Sequence, residues 1–176
     1  MRLFLSISLN DELRGDLAAV VDELRRRASE GRFTLPENLH LTLAFLGECD
    51  QYQLDVAISA MNELHFEPFD LRIEGMGTFK QRGGDLWWAG VQKCDELMTL
   101  QRDLARELRQ QGFELEQRKY KPHITLGRQI HLPQHSQGGL IGVSAKQQVN
   151  SFELMQSDRI GNRLNYTTLY TRHAME

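Results

Sequence analysis

Apolar and polar residues alternate at the start of the chain. Every second position from residue 3 is apolar: Leu3, Leu5, Ile7 and Leu9. That period is typical of a β-strand with one buried face. Asn10 follows as an N-cap residue, and apolar residues at helical spacing then run to the arginines at 25–27. The pattern predicts a strand over 2–9 and a helix that ends with these arginines.

The same two periods alternate along the rest of the chain. Helical spacing predicts two more helices, one capped at Asp50 and one over about 95–110. Alternating polarity predicts six more strands, at about 39–46, 69–73, 86–91, 121–128, 148–157 and 163–172. Together these elements indicate a mixed α+β protein.

Glycine and proline mark the expected loops and turns. Loops are predicted at 31–36 and 129–142. Gly47 is expected to end its strand, and Gly75 and Gly77 are expected to form turns. Residues 161–162 suit a hairpin between the last two strands.

Two of the predicted strands carry the same polar pair. His40 and Thr42 lie in the first copy, and His123 and Thr125 lie in the second, each within a frame of large apolar residues. Because side chains alternate between the two faces of a strand, the histidine and threonine of each copy share one face. Two copies are a far more specific signal than one. They predict two half-sites that face a common cleft.

The layout around the two copies is also repeated. His123 follows His40 by 83 positions. The same shift takes the first strand onto 85–92 and takes Leu17 onto Leu100, both on the core faces of predicted helices. Strand, helix and motif strand therefore occur twice at one offset, which indicates an internal duplication and two related lobes.

The amino-acid composition excludes some classes of protein but does not indicate a particular function. The chain has 176 residues, of which 40% are hydrophobic and 26% charged, and its net charge is −3. These values are typical of a soluble globular protein. The negative balance excludes a global positive field for long nucleic acid, so a nucleic-acid substrate is expected to meet a small local cationic site. Cys49 and Cys94 have no metal-ligand spacing. With no signal-peptide pattern, a cytoplasmic protein is expected, and a monomer is the default.

Two imidazoles that face one groove can divide acid and base chemistry between them. The unperturbed pKa of histidine is about 6.5, so both protonation states are available near neutral pH. A neutral ring accepts a proton from an attacking water, and a protonated ring donates one to a departing oxygen. Threonine hydroxyls nearby can donate to phosphoryl oxygens. The arrangement suits displacement at phosphorus without a metal or other cofactor.

Basic residues flank the second copy. Arg118, Lys119 and Lys121 precede it, and Arg128 follows it. A regular strand would place Arg128 on the face opposite to the histidine, so its approach to a phosphate requires a bend or bulge near Gly127. The alternative interpretation, solvent-exposed charges at a strand end, is weaker for Arg128 than for the other three.

Other candidates carry weaker signals. His131 and His135 have a helical metal-ligand spacing, but a proline lies between them, so a polar loop is favoured. Trp87 and Trp88 face opposite ways on a strand and are expected in the core or between the lobes. By strict alternation Phe45 is expected in the core, and it could stack on a base only if its strand twists or ends there.

The two motif segments resemble the paired motifs of the two-histidine phosphoesterase superfamily. They read NLHLTLAFLG at 38–47 and PHITLGR at 122–128. Within that superfamily the chain is most similar to the bacterial RNA 2′,3′-cyclic phosphodiesterases, also called 2′-5′ RNA ligases. The similarity covers nearly the whole chain, and its supporting positions are Trp88-Ala89-Gly90, Ser157, Gly161 and Tyr166.

This resemblance implies a single domain over 1–176, with a bilobal pseudo-two-fold α+β fold, antiparallel sheets lining a central cleft and helices outside. It implies metal-independent hydrolysis of RNA or nucleotide 2′,3′-cyclic phosphate ends to 2′-phosphomonoesters. By motif position, His40 would be the proton donor and His123 the proton acceptor. Thr42, Thr125 and Arg128 would bind the phosphate.

Two other functions stay open. The family name implies that tRNA halves are joined by a 2′-5′ linkage, although the acidic balance and the lack of an ATP-binding motif argue that ligation is secondary. A non-catalytic module that binds nucleotides or RNA ends is the other, and the intact histidines and threonines argue against it. The predicted loop at 129–142, with its Gly-Gly pair, departs from the family pattern.

Overall fold

The predicted N-terminal strand and helix are both present in the computed structural model, which describes residues 1–140 and 142–175. β1 spans Arg2–Ser8 and α1 spans Asp11–Arg27. The side chain of Asn10 accepts a hydrogen bond of 2.8 Å from the Leu13 amide, which satisfies one of the free donors at the start of the helix. The N-cap prediction is therefore confirmed.

The described residues form three α-helices, two short 3-10 helices and nine β-strands. The other α-helices are α2 (Gln51–Asn62) and α3 (Asp95–Gln110). The other strands are β2 (Glu30–Phe33), β3 (His40–Glu48), β4 (Phe69–Phe79), β5 (Asp85–Val91), β6 (His123–His131), β7 (Ser144–Val149), β8 (Ser151–Ile160) and β9 (Arg163–His173). This confirms the α+β class.

The two motif strands lie at the centre of one antiparallel sheet. Within the described residues, eight strands follow the order β7-β4-β5-β6-β3-β1-β8-β9, and β2 pairs with β6 outside this order. β3 and β6 meet through a single register pair, Leu41 with Ile124. Outward from that pair, the series β6, β5, β4, β7 corresponds to the series β3, β1, β8, β9. The predicted duplicated, two-lobed layout is confirmed.

The sheet curls, so that β7 at one end of it approaches strands of the opposite half. Asn150 alone separates β7 from β8, although these strands lie in opposite halves of the sheet. The Gln147 side chain on β7 accepts a bond of 2.8 Å from the Asn10 amide and donates one of 3.0 Å to the Ser8 carbonyl. The strongly curved sheet therefore has the form of half a barrel.

The hydrophobic core lies between the sheet and the helices. Leu17 and Leu100, which the 83-residue offset relates, are both buried in it, as are Leu41 and Leu43 on β3. Burial of these side chains is the main favourable contribution to folding. Because the helices cover the leucine face of β3, the face with His40 stays open.

Glycines that were expected to interrupt strands lie inside them instead. β3 continues through Gly47, and β4 continues through Gly75 and Gly77. Gly47 and Gly75 have φ angles of 77° and 74°, and the pairing register shifts beside each. Because glycine adopts positive φ at little cost, these positions form bulges that bend a strand without ending it.

Three further boundary predictions are wrong. The loop predicted at 31–36 contains part of β2, which pairs with β6. The loop predicted at 129–142 begins only after His131, because pairing with β2 and β5 extends β6. The strand predicted at 148–157 is two strands, since the chain crosses between the halves of the sheet at Asn150.

Candidate active site

Both His-Thr pairs line one cleft. The cleft has a volume of ≈ 1410 Å³, and its lining includes His40 and Thr42 from β3 and His123 and Thr125 from β6. All four of these residues are half-buried. The junction of β3 with β6 thus brings together two segments that are far apart in the sequence.

Each histidine ring is held by the backbone carbonyl two residues earlier. Nδ1 of His40 lies 2.6 Å from the Asn38 oxygen, and Nδ1 of His123 lies 2.7 Å from the Lys121 oxygen. A carbonyl oxygen can only accept, so Nδ1 carries a hydrogen in both rings. Nε2 is then the nitrogen available for proton transfer in each half of the site.

His40 lies in an enclosed aromatic setting. The ring centroids of Phe4 and Tyr166 are 5.0 and 5.3 Å from that of the imidazole. Its Nε2 lies 2.9 Å from the Thr42 hydroxyl oxygen. The site therefore gives this ring little water and one neutral hydrogen-bond partner at its reactive nitrogen.

This setting lowers the pKa of His40 below its ordinary value. Burial is the largest cause, because it disfavours the charged ring. The hydrogen bond to the Asn38 carbonyl acts in the opposite direction, whereas the charges of Arg128 and His123 lower the pKa further. In the free protein His40 is accordingly neutral near pH 7.

Asn38 couples His40 to the last hairpin. Its side chain is buried, and Nδ2 donates a hydrogen bond of 3.0 Å to the Leu164 carbonyl on β9. Its own carbonyl accepts the Nδ1 hydrogen of His40. β9 therefore supports the carbonyl that fixes this imidazole.

His123 lies in the more open half of the cleft. Phe79 meets its ring edge-on at 5.1 Å. The adjoining part of β6 is fixed by Thr34, whose hydroxyl donates a bond of 3.0 Å to the Thr125 carbonyl. The second histidine is thus held in place while water can reach it.

Arg128 lines the cleft because β6 is irregular. Trp88 pairs with Thr125, but the neighbouring Trp87 pairs with Gly127, so β6 contains one extra residue between these pairs. This bulge reverses the alternation of side chains after Thr125. The bulge near Gly127 that an approach of Arg128 to a phosphate requires is therefore present. Arg128 is exposed in the cleft.

The prediction that Phe45 lies in the core is wrong. Its side chain is 59% exposed and lines the cleft. On β1, Leu5 pairs with Ala44, whereas the next residue, Ser6, pairs with Thr42. The extra residue, Leu43, shifts the alternation of β3 by one, so Phe45 turns to the side of His40 and Thr42.

The remaining candidates lie away from the site. Trp87 packs against the core, and Trp88 packs on Phe79 with ring centroids 5.5 Å apart. Arg118 forms an ion pair with Glu116. The cleft lining includes none of Arg118, Lys119 and Lys121. These observations favour the solvent-exposed interpretation of that basic run.

His131 is held outside the cleft. Its Nε2 lies 3.0 Å from the Gly83 carbonyl oxygen. Within residues 1–140 and 142–175 no group of three or more His, Cys, Asp and Glu side chains could hold a metal ion. No helix in the same ranges is long and apolar enough to cross a membrane.

Several further residues line the cleft that the sequence motifs do not predict. They include Arg2, Phe4, Arg32, Arg159 and Arg163. The alternation that predicts a buried Leu3 and Leu5 also places Arg2 and Phe4 together on the other face, so β1 carried a usable signal. No comparable signal links the last hairpin to β1, because that pairing is tertiary.

The chain is similar in sequence to proteins of one known family. Residues 13–154 match the family model of the 2′-5′ RNA ligase superfamily. The RNA 2′,3′-cyclic phosphodiesterase of Thermotoga maritima is 35% identical over 136 residues, which cover 76% of this chain and 72% of that protein. The enzyme of the same name from Archaeoglobus fulgidus is 34% identical over 129 residues, which cover 73% of this chain and 72% of that protein.

Solved structures share the whole fold. The crystal structure of E. coli LigT complexed with 3′-AMP has a TM-score of 0.87 and 27% identity, and the match covers 99% of this chain and 98% of that chain. The crystal structure of a Thermus thermophilus protein, TT0787, has a TM-score of 0.84 and 26% identity, and the match covers 98% and 97% of the two chains.

Proposed function

The chain belongs to the 2′-5′ RNA ligase superfamily, and we propose from this premise that its cleft hydrolyses RNA 2′,3′-cyclic phosphate ends to 2′-phosphomonoesters. One observation carries the proposal: His40 and His123 line the same cleft, each with Nδ1 held by a backbone carbonyl. Relatives that bear the name of this activity support it, as does a structural neighbour in complex with 3′-AMP.

In the proposed reaction, water attacks the phosphorus atom while the bond from phosphorus to the 3′ oxygen breaks. His123 accepts the proton of the attacking water at Nε2. His40 donates a proton from Nε2 to the leaving 3′ oxygen. The products are a 2′-phosphomonoester and a free 3′ hydroxyl, and solvent returns both rings to their starting protonation states.

The lowered pKa of His40 sets a condition for this mechanism. The ring must gain a second proton before it can act as the acid. A bound cyclic phosphate carries negative charge, and a nearby negative charge favours the protonated ring. Substrate binding therefore raises the pKa of His40 and charges the acid where it is needed.

Thr42, Thr125 and Arg128 bind the phosphate in this proposal. Both hydroxyls can donate to non-bridging oxygens, and the guanidinium can make two parallel hydrogen bonds to them. Since negative charge grows on these oxygens during attack, the loss of one preorganised donor lowers kcat by about 10²–10³-fold in comparable sites. Phe45 offers an exposed ring on which a base can stack.

We further propose that the enzyme works as a cytoplasmic monomer without a metal. Proton transfer by the two histidines and the contacts to the phosphate account for both the attack of water and the departure of the 3′ oxygen. No step of the proposed mechanism is therefore assigned to a divalent cation. Activity that survives excess EDTA is the corresponding expectation.

The test is incubation with an oligoribonucleotide that ends in a 2′,3′-cyclic phosphate, in the presence of EDTA, followed by identification of the product ends. The expected product is a 2′-phosphate. His40→Ala and His123→Ala should each lose about 10²–10⁴-fold in rate, whereas His65→Ala, outside the cleft lining, should not. A 3′-phosphate product, or full activity in either cleft variant, would refute the proposal.

The name of the superfamily favours RNA joining as a second candidate. Joining uses the same two histidines, with a 5′ hydroxyl in the place of the attacking water. Adding an RNA with a 5′-hydroxyl end to the assay separates the two reactions. Faster joining than hydrolysis would make ligation the main activity, and tight nucleotide binding with neither product would indicate a binding module.

A further inference from the structure

Positive charge is concentrated in the cleft of a chain whose net charge is −3. Five arginines line it: Arg2, Arg32, Arg128, Arg159 and Arg163. Within residues 1–140 and 142–175, Asp158 is the one acidic residue that lines the cleft. One phosphate does not require five guanidinium groups, so the cleft is built for a ligand with more than one negative charge.

Most of these guanidinium groups are not neutralised within the described part of the chain. Arg163 donates a hydrogen bond of 2.7 Å to Glu37. In residues 1–140 and 142–175, Arg2, Arg128 and Arg159 form no salt bridge with a carboxylate. Arginines that face a cleft without carboxylate partners are suited to bidentate binding of an external anion.

The pairing of β1, β8 and β9 places two of these arginines beside each other in the cleft. Arg2 is directly opposite Ser157, and Ser157 is directly opposite Tyr166. Directly opposed residues share one face of a sheet, and Arg159, two residues after Ser157, shares it as well. Tyr166 also packs against His40, so this row of residues adjoins the imidazole ring.

Tyr166 gives a second sign that these groups converge. Burial raises the pKa of its hydroxyl, and the positive charges of Arg128, Arg2 and Arg159 act against that rise. Charges influence a pKa in this way only at short range. Arg128 on β6 and the pair Arg2 and Arg159 therefore all lie near the same tyrosine.

We propose that Arg2, Ser157 and Arg159 form a second phosphate subsite, which binds the phosphodiester on the 5′ side of the terminal nucleotide. The inference rests on the proposed function, because it assigns the reacting phosphate to Arg128 and the two threonines. The reacting cyclic phosphate is at the 3′ end of the RNA, so any further phosphate of the same strand lies on the 5′ side of the terminal nucleotide. The subsite selects an RNA strand over a mononucleoside 2′,3′-cyclic phosphate.

The test compares a nucleoside 2′,3′-cyclic phosphate with the same nucleotide that also carries a 5′-phosphate. In the unmodified protein, kcat/KM is expected to be about tenfold or more higher for the 5′-phosphorylated substrate, as suits a charge-assisted contact. In Arg159→Gln and in Arg2→Gln the ratio of the two kcat/KM values should fall towards one. Arg106→Gln, which removes an exposed arginine that pairs with Asp103 on α3, should keep the ratio.

The binding of product nucleotides tests the second phosphate subsite without turnover. Calorimetry compares a nucleoside 2′-phosphate with the corresponding 2′,5′-bisphosphate, at several salt concentrations. The bisphosphate should bind tighter, and the slope of log K against log salt should fall by about 0.7 for each phosphate contact that a variant loses. Ser157→Ala, which keeps both arginines, should lose part of the preference and checks that the arginine variants have not merely misfolded.

The outcomes separate the two proposals. A ratio near one in the unmodified protein, or a ratio that survives in both arginine variants, overturns the subsite even if hydrolysis is rapid. A strong preference for the bisphosphate without hydrolysis of any cyclic phosphate keeps the subsite and overturns the proposed function.

Discussion

At the scale of single residues, His40 and His123 have different surroundings although their sequence motifs are nearly identical. The sequence predicts both rings, their shared face with threonine and their common cleft. It does not predict that Phe4 and Tyr166 enclose His40, because these rings come from distant strands. The lowered pKa of His40 is therefore a tertiary property.

The titration of His40 in the free protein is the first prediction at this scale. Because burial disfavours its charged form, we expect its pKa by NMR to lie below that of a histidine in an unfolded peptide. Inorganic phosphate should raise it, since the anion favours the charged ring. An ordinary pKa in the free protein would contradict the effect of burial on this ring, and a pKa that does not rise with phosphate would contradict the proposed charging of the acid by the substrate.

Stability should also depend on pH through this ring. Below about 6.5 the histidine of the unfolded chain binds a proton, while His40 in the folded protein stays neutral down to its own lower pKa. The unfolded state then binds more protons, so the free energy of unfolding falls as pH falls through this window. In urea unfolding, His40→Asn should lose less stability between pH 7 and lower pH than the unmodified protein does, and an equal loss would contradict this account.

At the scale of elements, alternation predicts the strands but not their bulges. His40 and Thr42 follow the two-residue period, and Phe45 does not, because Leu43 is the extra residue of a bulge. Only the bulge on β6 could be expected from the sequence, because the proposed contact of Arg128 with a phosphate conflicts with regular strand geometry. A bulge depends on the partner strand, so one strand's sequence seldom specifies it.

Substitution of glycine by alanine should have opposite effects on stability at Gly90 and Gly15. A Cβ at Gly90 on β5 would lie 2.2 Å from the Glu74 carbonyl oxygen, so Gly90→Ala should destabilise the protein by about 1–3 kcal/mol. Gly15 on α1 has no atom within 4 Å of such a Cβ, and Gly15→Ala should stabilise by about 0.5–1 kcal/mol. Equal effects in thermal unfolding would contradict this account of β5.

At the scale of the whole molecule, the 83-residue offset predicts the duplicated halves correctly, and the paired motifs predict that they share a cleft. The crossing at Asn150 and the curl of the sheet lie beyond sequence patterns, since β7 and β8 are adjacent in the chain and separated in the sheet. The halves are joined at Leu41 and Ile124, so small contacts across this junction control the alignment of the two rings.

Tyr120 makes one such contact. It precedes β6, and its hydroxyl donates a hydrogen bond of 2.7 Å to the Thr42 carbonyl on β3. Tyr120→Phe leaves that acceptor without its partner, so we expect a loss of about 1 kcal/mol in stability and a lower kcat from misaligned half-sites. Tyr52→Phe, at a residue that is 76% exposed, is the matched control. Unchanged kcat in Tyr120→Phe would show that the contact does not align the site.

The central claim is that His40 protonates the leaving 3′ oxygen while His123 activates the water. The most direct measurement is the single-turnover rate of each alanine variant on a 2′,3′-cyclic substrate whose 3′ oxygen is replaced by sulfur. A thiolate leaves without protonation, because the pKa of a thiol is about 8.5. We predict that the sulfur substrate restores the rate of His40→Ala and leaves His123→Ala slow. Restoration of His123→Ala alone, or of neither variant, would contradict this division of roles.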